Sequence, residues 1–306
     1  MKNILITGGS GLIGSHLALK LQDRGYGVTI YDINPPPDEE FNYIKGDIMD
    51  YELLEVSVKQ HDTVCHLAAM VGVVACLSSK EEVYRINFDG VKNIIKACTE
   101  NNVEHLLFAS SSEVYGNGSK DTLFDELIKL NPITHYGKAK MASEELLKTF
   151  AQESETKVTV LRYCNIYGPR QSIEFVIPVF IDNTIKGTPL PICGNGESIR
   201  NFTYIDDAVE GTICALIRKD KNYDIFNISS SETIKIKDLA DNIIKIKGNG
   251  SVKYVSYEDI NRQEKQEILI RIPSTKKSED ILKFKAQTPI DEGLRKTYNF
   301  YLNNKI

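Results

Sequence analysis

A glycine-rich turn near the amino terminus is the feature that most constrains the fold of this 306-residue chain. Asn3–Thr7 reads as a strand, the peptide GGSGLIG follows at 8–14, and a segment with helical apolar spacing continues from it. Glycines let the backbone turn tightly and approach a pyrophosphate, to which the helix amino terminus presents N–H groups. The sequence therefore predicts a dinucleotide-binding βα unit. The residues expected at the phosphates are Gly8, Gly11, Leu12 and Ile13.

The end of the second strand predicts which dinucleotide binds. Val28–Tyr31 reads as a strand, and Asp32 follows it directly. A carboxylate at this point accepts hydrogen bonds from a ribose diol and repels a 2′-phosphate. Because no arginine lies beside Asp32 to neutralise such a phosphate, the sequence predicts NAD rather than NADP as the cofactor.

Short β-branched runs alternate with helix-period segments through the first half of the chain, a pattern typical of a parallel α/β sheet. Further strands are predicted at 63–67, 105–109 and 158–162, and helices at about 12–24, 81–100 and 137–152. We expect a Rossmann-type, doubly wound NAD-binding domain at 1–165. A smaller, partly interleaved α/β substrate domain is expected at 166–306, from which residues 203–225 could return to the first domain.

Side chains that carry hydroxyl, phenol and ammonium groups follow the strand at 105–109, in an order that is typical of an acid–base site. The peptide SSSEVYG begins at Ser110, and the peptide YGKAK begins at Tyr136. Tyr136 and Lys140 are one helical turn apart, so the ammonium group favours the phenolate form of the tyrosine. Ser111, at the carboxyl end of a parallel strand, is placed to hold a substrate oxygen and relay its proton. These three side chains predict an acid–base centre.

Composition excludes several other classes of function. The net charge is −5 and the lysines are scattered, which argues against a nucleic-acid partner. Neither a signal peptide nor an apolar run long enough for a membrane span is visible. The six cysteines show no metal-ligand spacing, so no metal site is expected. We expect these cysteines to be reduced thiols and the protein to be cytoplasmic.

Nearly the whole chain resembles the extended short-chain dehydrogenase/reductases, in the group of nucleotide-sugar epimerases and dehydratases. Besides the peptides above, the matching segments are GDI at 46–48, HLAA at 66–69, Asn87 with Gly90, LRYCNIYGPRQ at 161–171, RNFTYIDD at 200–207 and RIPS at 271–274. The resemblance implies oxidation of a sugar at C4 by NAD, with a nucleotide-diphosphate sugar as substrate. It also implies a homodimer that pairs the helices at 81–100 and 137–152.

The resemblance assigns roles to individual residues. The catalytic residues it implies are Ser111, Tyr136 and Lys140, with Glu113 beside them. NAD is expected to contact Asp32, Asp47, Ile48, Leu67, Ala68, Ala69, Tyr136 and Lys140 in addition to the glycine-rich turn. The nucleotide sugar is expected to contact Ser112, Asn165, Arg200, Arg262 and Arg271. Converging arginines suit a diphosphate because a guanidinium binds phosphate with two parallel hydrogen bonds.

The outcome of the reaction depends on the surroundings of Glu113. Ser112-Glu113 and the RIPS peptide at 271–274 resemble uronate decarboxylases, whereas the peptide AAMVGV at 68–73 is closer to hexose and hexuronate 4-epimerases. Hexose dehydratases carry an aspartate where this chain has Ser112, which disfavours dehydration. On the sequence alone, C4 epimerisation of a UDP-sugar ranks first, decarboxylation second and dehydration third. A non-catalytic NAD-binding regulator ranks last because the serine, tyrosine and lysine are all retained.

Overall fold

The computed structural model describes residues 2–38, 40–72, 79–119, 121–218, 220–260 and 268–304. The helices are α1 (Leu12–Asp23), α2 (Tyr51–Val58), α3 (Lys80–Tyr84), α4 (Gly90–Glu100), α5 (His135–Glu153), α6 (Val176–Lys186), α7 (Ile205–Leu216), α8 (Ile236–Lys247) and α9 (Ile290–Asn304). The strands of the first half are β1 (Asn3–Thr7), β2 (Gly27–Asp32), β3 (Asn42–Lys45), β4 (Thr63–His66), β5 (His105–Ser111), β6 (Leu123–Phe124) and β7 (Lys157–Tyr163). Those of the second half are β8 (Ile166–Tyr167), β9 (Leu190–Cys193), β10 (Ile199–Arg200), β11 (Thr203–Tyr204), β12 (Tyr223–Ile228), β13 (Ile234–Lys235), β14 (Val252–Val255) and β15 (Ile272–Pro273).

A parallel sheet of seven strands forms the centre of the molecule, in the order β12-β7-β5-β4-β1-β2-β3. Parallel neighbours need crossover connections, and the helices that supply them cover both faces of the sheet. The strand order reverses between β1 and β4, and the crevice at this reversal is where such sheets bind ligands. The sheet confirms the predicted α/β Rossmann-type fold.

Two apolar layers hold the helices against the sheet. On one face Leu54 of α2, Ile94 of α4 and Leu147 of α5 pack under the strands. On the other face Leu17 of α1 and Ile213 of α7 begin a larger core that continues into α6, α8 and α9. The carboxyl-terminal part of the chain is therefore packed onto one face of the sheet through a shared core.

Residues after 165 contribute to both parts of the molecule. Strand β12 pairs with β7 as an edge of the central sheet, while α7 packs beside α1. The short strands elsewhere form two-stranded pairs, among them β15 with β6. That pair brings the carboxyl-terminal segment beside the end of β5. The exact position of a domain boundary near residue 165 stays a prediction.

Two local features differ from the sequence-based expectations. The single helix predicted at 81–100 contains a π-helical turn at Arg85–Asp89 between α3 and α4. This wider turn carries the buried Asn87, whose side-chain amide exchanges two hydrogen bonds with the backbone of Met70 (2.8 and 2.9 Å). The sequence does not predict strand β3, because its four residues show neither an apolar run nor strict alternation.

Candidate active site

The glycine-rich turn fits closely against the end of β4. Gly8 has φ +72°, and a Cβ on it would lie 2.5 Å from the backbone nitrogen of Ala68. A Cβ on Gly14 would lie 2.4 Å from the Gly8 carbonyl oxygen, so only glycine lets α1 start this close to the turn. At Gly11 the nearest atom would be 3.3 Å away, and Gly11 caps α1 without a side chain. The α1 amino terminus is thus left open toward an anion, as a pyrophosphate requires.

Asp32 lies beside this turn at the end of β2. One carboxylate oxygen accepts a hydrogen bond from the Ser10 backbone (3.0 Å), and the other accepts from the Asn34 backbone (3.0 Å). An ionised carboxylate accepts about four hydrogen bonds, so Asp32 retains acceptor sites for the two hydroxyls of a ribose. The glycine-rich turn and Asp32 together fit the adenosine half of NAD.

The Asp47–Ile48 peptide is fixed next to the end of β2. The Tyr31 hydroxyl donates to the Asp47 carbonyl (2.9 Å), and the Asn93 amide donates to the Ile48 carbonyl (3.0 Å). Asp47 is exposed while Ile48 is buried, so the peptide presents a carboxylate outward over an apolar side chain. The contact of Asp47 and Ile48 with the adenine end of the cofactor stays a prediction.

The proposed acid–base residues lie on β5 and α5. Thr134 caps α5 by accepting a hydrogen bond from the Gly137 backbone (3.0 Å), which fixes the turn that carries Tyr136. Lys140 is buried, and its Nζ donates to the Ala109 carbonyl (2.7 Å) of β5. The same Nζ lies 5.8 Å from the centroid of the Tyr136 ring. A buried ammonium next to a partly exposed phenol is the arrangement that favours a phenolate, as a base at this position needs.

Ser111 ends β5 and begins a 3₁₀ turn that holds Glu113. The Ser111 hydroxyl accepts a hydrogen bond from the Glu113 backbone (3.2 Å), while Ser112 points inward and is buried beside the Cys164 thiol. Burial raises the pKa of Cys164 to about 11, so this thiol stays protonated at neutral pH. Ser112 therefore faces the protein interior, which weakens its expected role as a substrate contact.

Glu113 forms an ion pair with Arg271, which the sequence does not predict because the two residues are far apart in the chain. The Nη1 atom of Arg271 lies 2.8 Å from Oε1 of Glu113, and Thr134 donates to the other carboxylate oxygen (3.3 Å). Glu113 is partly exposed, whereas Arg271 is 3% exposed. Within the described part of the chain, the buried Nε of Arg271 has no hydrogen-bond acceptor, whereas Nη1 is occupied by the ion pair with Glu113. A buried guanidinium with an unsatisfied N–H group, beside the turn that carries Glu113, is suited to bind a further anion.

The other expected substrate contacts are positioned by backbone groups. The Asn165 amide donates to the Asn201 carbonyl (2.8 Å), and its backbone has φ +44°. Arg200 donates to the carbonyls of Ile268 and Leu269, just before Arg271. Arg200 thus supports the segment that carries Arg271. Arg262 and Val73 lie outside the described residues.

Among the residues that the structure describes, no group of three or more histidine, cysteine or acidic side chains could hold a metal ion. No helix in those ranges is both long and apolar enough to cross a membrane.

The comparisons with known proteins agree with this geometry. The profile of the NAD dependent epimerase/dehydratase family matches residues 4–229. The chain is 34% identical to the UDP-N-acetyl-alpha-D-glucosaminuronate decarboxylase of Bacillus cytotoxicus over 98% of each chain. It superposes on MoeE5 in complex with UDP-glucuronic acid and NAD with a TM-score of 0.92, 29% identity and 99% coverage of both chains. It also resembles the UDP-glucuronic acid 4-epimerase of Bacillus cereus (TM-score 0.89, 26% identity, 99% and 100% coverage).

Proposed function

The chain belongs to the NAD-dependent epimerase/dehydratase family, and from this premise we propose that it decarboxylates a nucleotide-linked uronic acid through a 4-keto sugar. The observation that carries the proposal is the buried Arg271, paired with Glu113 through Nη1 and left with an Nε–H group that lacks an acceptor among the described residues. A uronate differs from a neutral hexose by a carboxylate at C6, and a guanidinium is the side chain best suited to recognise it.

The first step is oxidation at C4. NAD, when bound, accepts the hydride from C4 and returns it later. Ser111 holds the C4 hydroxyl, and Tyr136 removes its proton as general base. Lys140, fixed to β5 through the Ala109 carbonyl, supports the phenolate with its positive charge. The product of this step is a ketone β to the carboxylate.

The second step is the loss of carbon dioxide. The bond between C5 and C6 breaks, its electron pair moves into an enolate with the charge on the C4 oxygen, and a proton then adds to C5. Arg271 holds the carboxylate out of water before the bond breaks. Glu113, which pairs with the same guanidinium, is placed to deliver the proton that adds to C5. Its partly exposed side chain can then be reprotonated from solvent.

The names of three similar proteins support a uronate as the substrate class. The Bacillus cytotoxicus relative is named for a uronate, and two of the similar structures are named for complexes with UDP-glucuronic acid. We therefore propose UDP-glucuronate or its 2-acetamido counterpart as the substrate. Asn165, Arg200, Arg262 and Arg271 remain the proposed contacts to the nucleotide sugar.

The test is to incubate the protein with NAD and each of the two UDP-uronates and to determine product masses. Decarboxylation lowers the sugar mass by one carbon dioxide. In Glu113→Gln, which preserves shape but cannot exchange a proton, the reaction should stall after oxidation. The reduced cofactor would then accumulate, visible as near-ultraviolet absorbance.

The matched control is Glu82→Gln, which breaks a surface ion pair with Arg85 and should turn over like the parent. A product of unchanged mass, together with normal cycling of Glu113→Gln, would contradict the proposal. That outcome favours the second candidate, C4 epimerisation, in which Glu113 has no chemical role.

Epimerisation remains the alternative because of one specific similarity. The peptide AAMVGV at 68–73 resembles that of hexose and hexuronate 4-epimerases. The Bacillus cereus structure is named as a UDP-glucuronic acid 4-epimerase. The ion pair of Glu113 with Arg271 reverses the order of preference that the sequence alone suggests, because an epimerase needs no acid–base residue beyond Tyr136.

A homodimer is also proposed, with α4 and α5 as the paired helices. Ile95 of α4 and Leu146 of α5 are only partly buried against the core and are available to a second copy. Light scattering during size-exclusion chromatography should give twice the mass of one chain, and the mass of a single chain would contradict the proposal.

A further inference from the structure

The proposed catalytic groups come from three separate segments of the chain. Glu113 lies on the 3₁₀ turn after β5, Tyr136 and Lys140 lie on α5, and Arg271 immediately precedes β15. A displacement of about 1 Å between reacting groups can cost roughly 10²-fold in rate. Some part of the structure must therefore fix these segments relative to one another.

The first connection is a buried ion pair behind the site. Glu144 lies one turn after Lys140 on α5, and it accepts hydrogen bonds from Arg162 of β7 through both oxygens (Nε at 3.0 Å and Nη2 at 2.6 Å). Oε1 of Glu144 also accepts from the hydroxyl of Ser110, the neighbour of Ser111. Both charged side chains are about 98% buried. This pair fixes α5 to the ends of β5 and β7.

The second connection runs from the ion pair to the other two segments. Nη1 of Arg162 donates to the Tyr115 hydroxyl (3.0 Å), which donates in turn to Oδ1 of Asn227 on β12 (2.7 Å). Tyr115 is two residues after Glu113 in the same 3₁₀ turn. The Asn227 amide then donates to the carbonyls of Phe124 in β6 (3.1 Å) and of Ser274 (3.0 Å), which directly follows β15.

A parallel route passes through Glu126. Its backbone carbonyl accepts from Arg162 (3.2 Å), and its carboxylate accepts from the Asn227 backbone (2.8 Å). This route connects Arg162 to the β12 backbone. It does not contact the Asn227 side chain, whose Oδ1 accepts its hydrogen bond from Tyr115. The Tyr115 hydroxyl is therefore the group through which the Arg162 and Asn227 side chains are joined.

We infer that Tyr115 is a positioning residue, which sets the Glu113–Arg271 pair at its working distance from the Tyr136–Lys140 helix turn. The inference rests on the proposed decarboxylation, because only that reaction uses first the Tyr136–Lys140 pair and then the Glu113–Arg271 pair. Loss of the Tyr115 hydroxyl should leave C4 oxidation largely intact, since α5 stays fixed by Glu144 and Lys140. Carbon dioxide loss should slow, since the Asn227 side chain that holds the Arg271 segment loses its hydrogen bond to Tyr115 and is left with the Glu126 route alone.

The experiment compares Tyr115→Phe with the unmodified protein, using NAD and the UDP-uronate that the parent consumes. We expect kcat for carbon dioxide release to fall roughly 10-fold to 10²-fold with little change in KM. The steady-state fraction of reduced cofactor should rise, because the 4-keto sugar waits longer for the second step. A purely structural role would lower the unfolding midpoint without changing that fraction.

The matched control is Tyr163→Phe, which also removes a buried tyrosine hydroxyl from β7, bonded to Thr212 (2.7 Å) away from the network. It should keep the parent's fraction of reduced cofactor. If Tyr115→Phe does not fold, Asn227→Ser is measured in the same way. An unchanged fraction in the folded variant overturns the inference alone, whereas absence of carbon dioxide release by the parent overturns the proposed function and the inference together.

Discussion

At the scale of single residues, the chemistry depends on charges that are held out of water. The Lys140 ammonium is buried yet satisfied by the Ala109 carbonyl, 4.6 Å from the centroid of the Phe108 ring. A point charge in such a setting acts on nearby groups more strongly than it would in water. The Tyr136 ring, whose centroid lies 5.8 Å from this ammonium, is partly exposed, and this tyrosine is the proposed base.

Replacing Tyr136 with phenylalanine tests this assignment. Only a hydroxyl is lost, so the fold and NAD binding should persist while turnover falls by roughly 10²–10⁴-fold. Steady-state rates with the UDP-uronate, together with NAD titration by intrinsic fluorescence, provide the measurement. Tyr84→Phe, which changes a neighbouring ring that packs against His135, is the control. Activity of Tyr136→Phe within a few-fold of the parent would show that another residue is the base.

At the scale of secondary-structure elements, α5 is packed unusually close to the 3₁₀ turn that carries Glu113. A Cβ on Gly137 would lie 2.7 Å from the Glu113 carbonyl oxygen and 3.0 Å from Pro132. Gly137 lies in the first turn of α5, where alanine would ordinarily be the better helix former by about 1 kcal/mol. The glycine is therefore explained by contact between two elements and not by helix stability.

Gly137→Ala should accordingly impair function although it favours the helix. The methyl group must push α5 away from the 3₁₀ turn, which separates Tyr136 from Ser111 and Glu113. We expect a loss of activity of at least about 10-fold, given the sensitivity of reacting groups to displacement. Ala142→Gly, later in the same helix, is a control that lowers helix stability without touching the turn. Full activity of Gly137→Ala with a raised melting temperature would refute the packing argument.

At the scale of the whole molecule, stability is coupled to pH through a histidine at the centre of the sheet. His66 ends β4, is 1% exposed, and its Nδ1 shares a hydrogen bond with the Thr7 hydroxyl (2.7 Å). Burial, with a further contribution from the Lys140 charge, lowers the pKa of His66 to about 3. The imidazole therefore stays neutral in the folded protein at every pH at which the enzyme is expected to work.

This shift predicts that the free energy of unfolding falls as the pH is lowered. Between pH 6.5 and about 3 the unfolded chain binds a proton on His66 that the folded chain does not. Stability is thus fully present above pH 6.5 and is lost toward pH 3, by at most about 1.4 kcal/mol per pH unit from this group. Urea titrations between pH 4.5 and 7.5 should show a shallower slope for His66→Gln than for the parent.

The control for this prediction is His61→Gln. Burial also lowers the pKa of His61, but a hydrogen bond to the Ser57 carbonyl favours its charged form, so the slope should change less. Equal slopes for His66→Gln and the parent would mean that His66 is not held neutral in the folded state.

Much of the cofactor site could be predicted from the sequence because its determinants are local. The glycine-rich turn, the strand before it and Asp32 lie close together in the chain, and a βα unit places them with little help from the rest of the molecule. Tyr136 and Lys140 are likewise neighbours on one helix. The Rossmann-type fold and the NAD dependence follow from these short-range patterns.

The surroundings of Glu113 could only be decided by the tertiary structure. Arg271 reaches it through the pairing of β15 with β6, and no periodicity or spacing in the chain encodes that contact. The same holds for the network of Glu144, Arg162, Tyr115 and Asn227, whose members come from separate elements. Ranking decarboxylation above epimerisation rests on such long-range contacts, since charges far apart in sequence acquire a shared role only where the packed core brings them together.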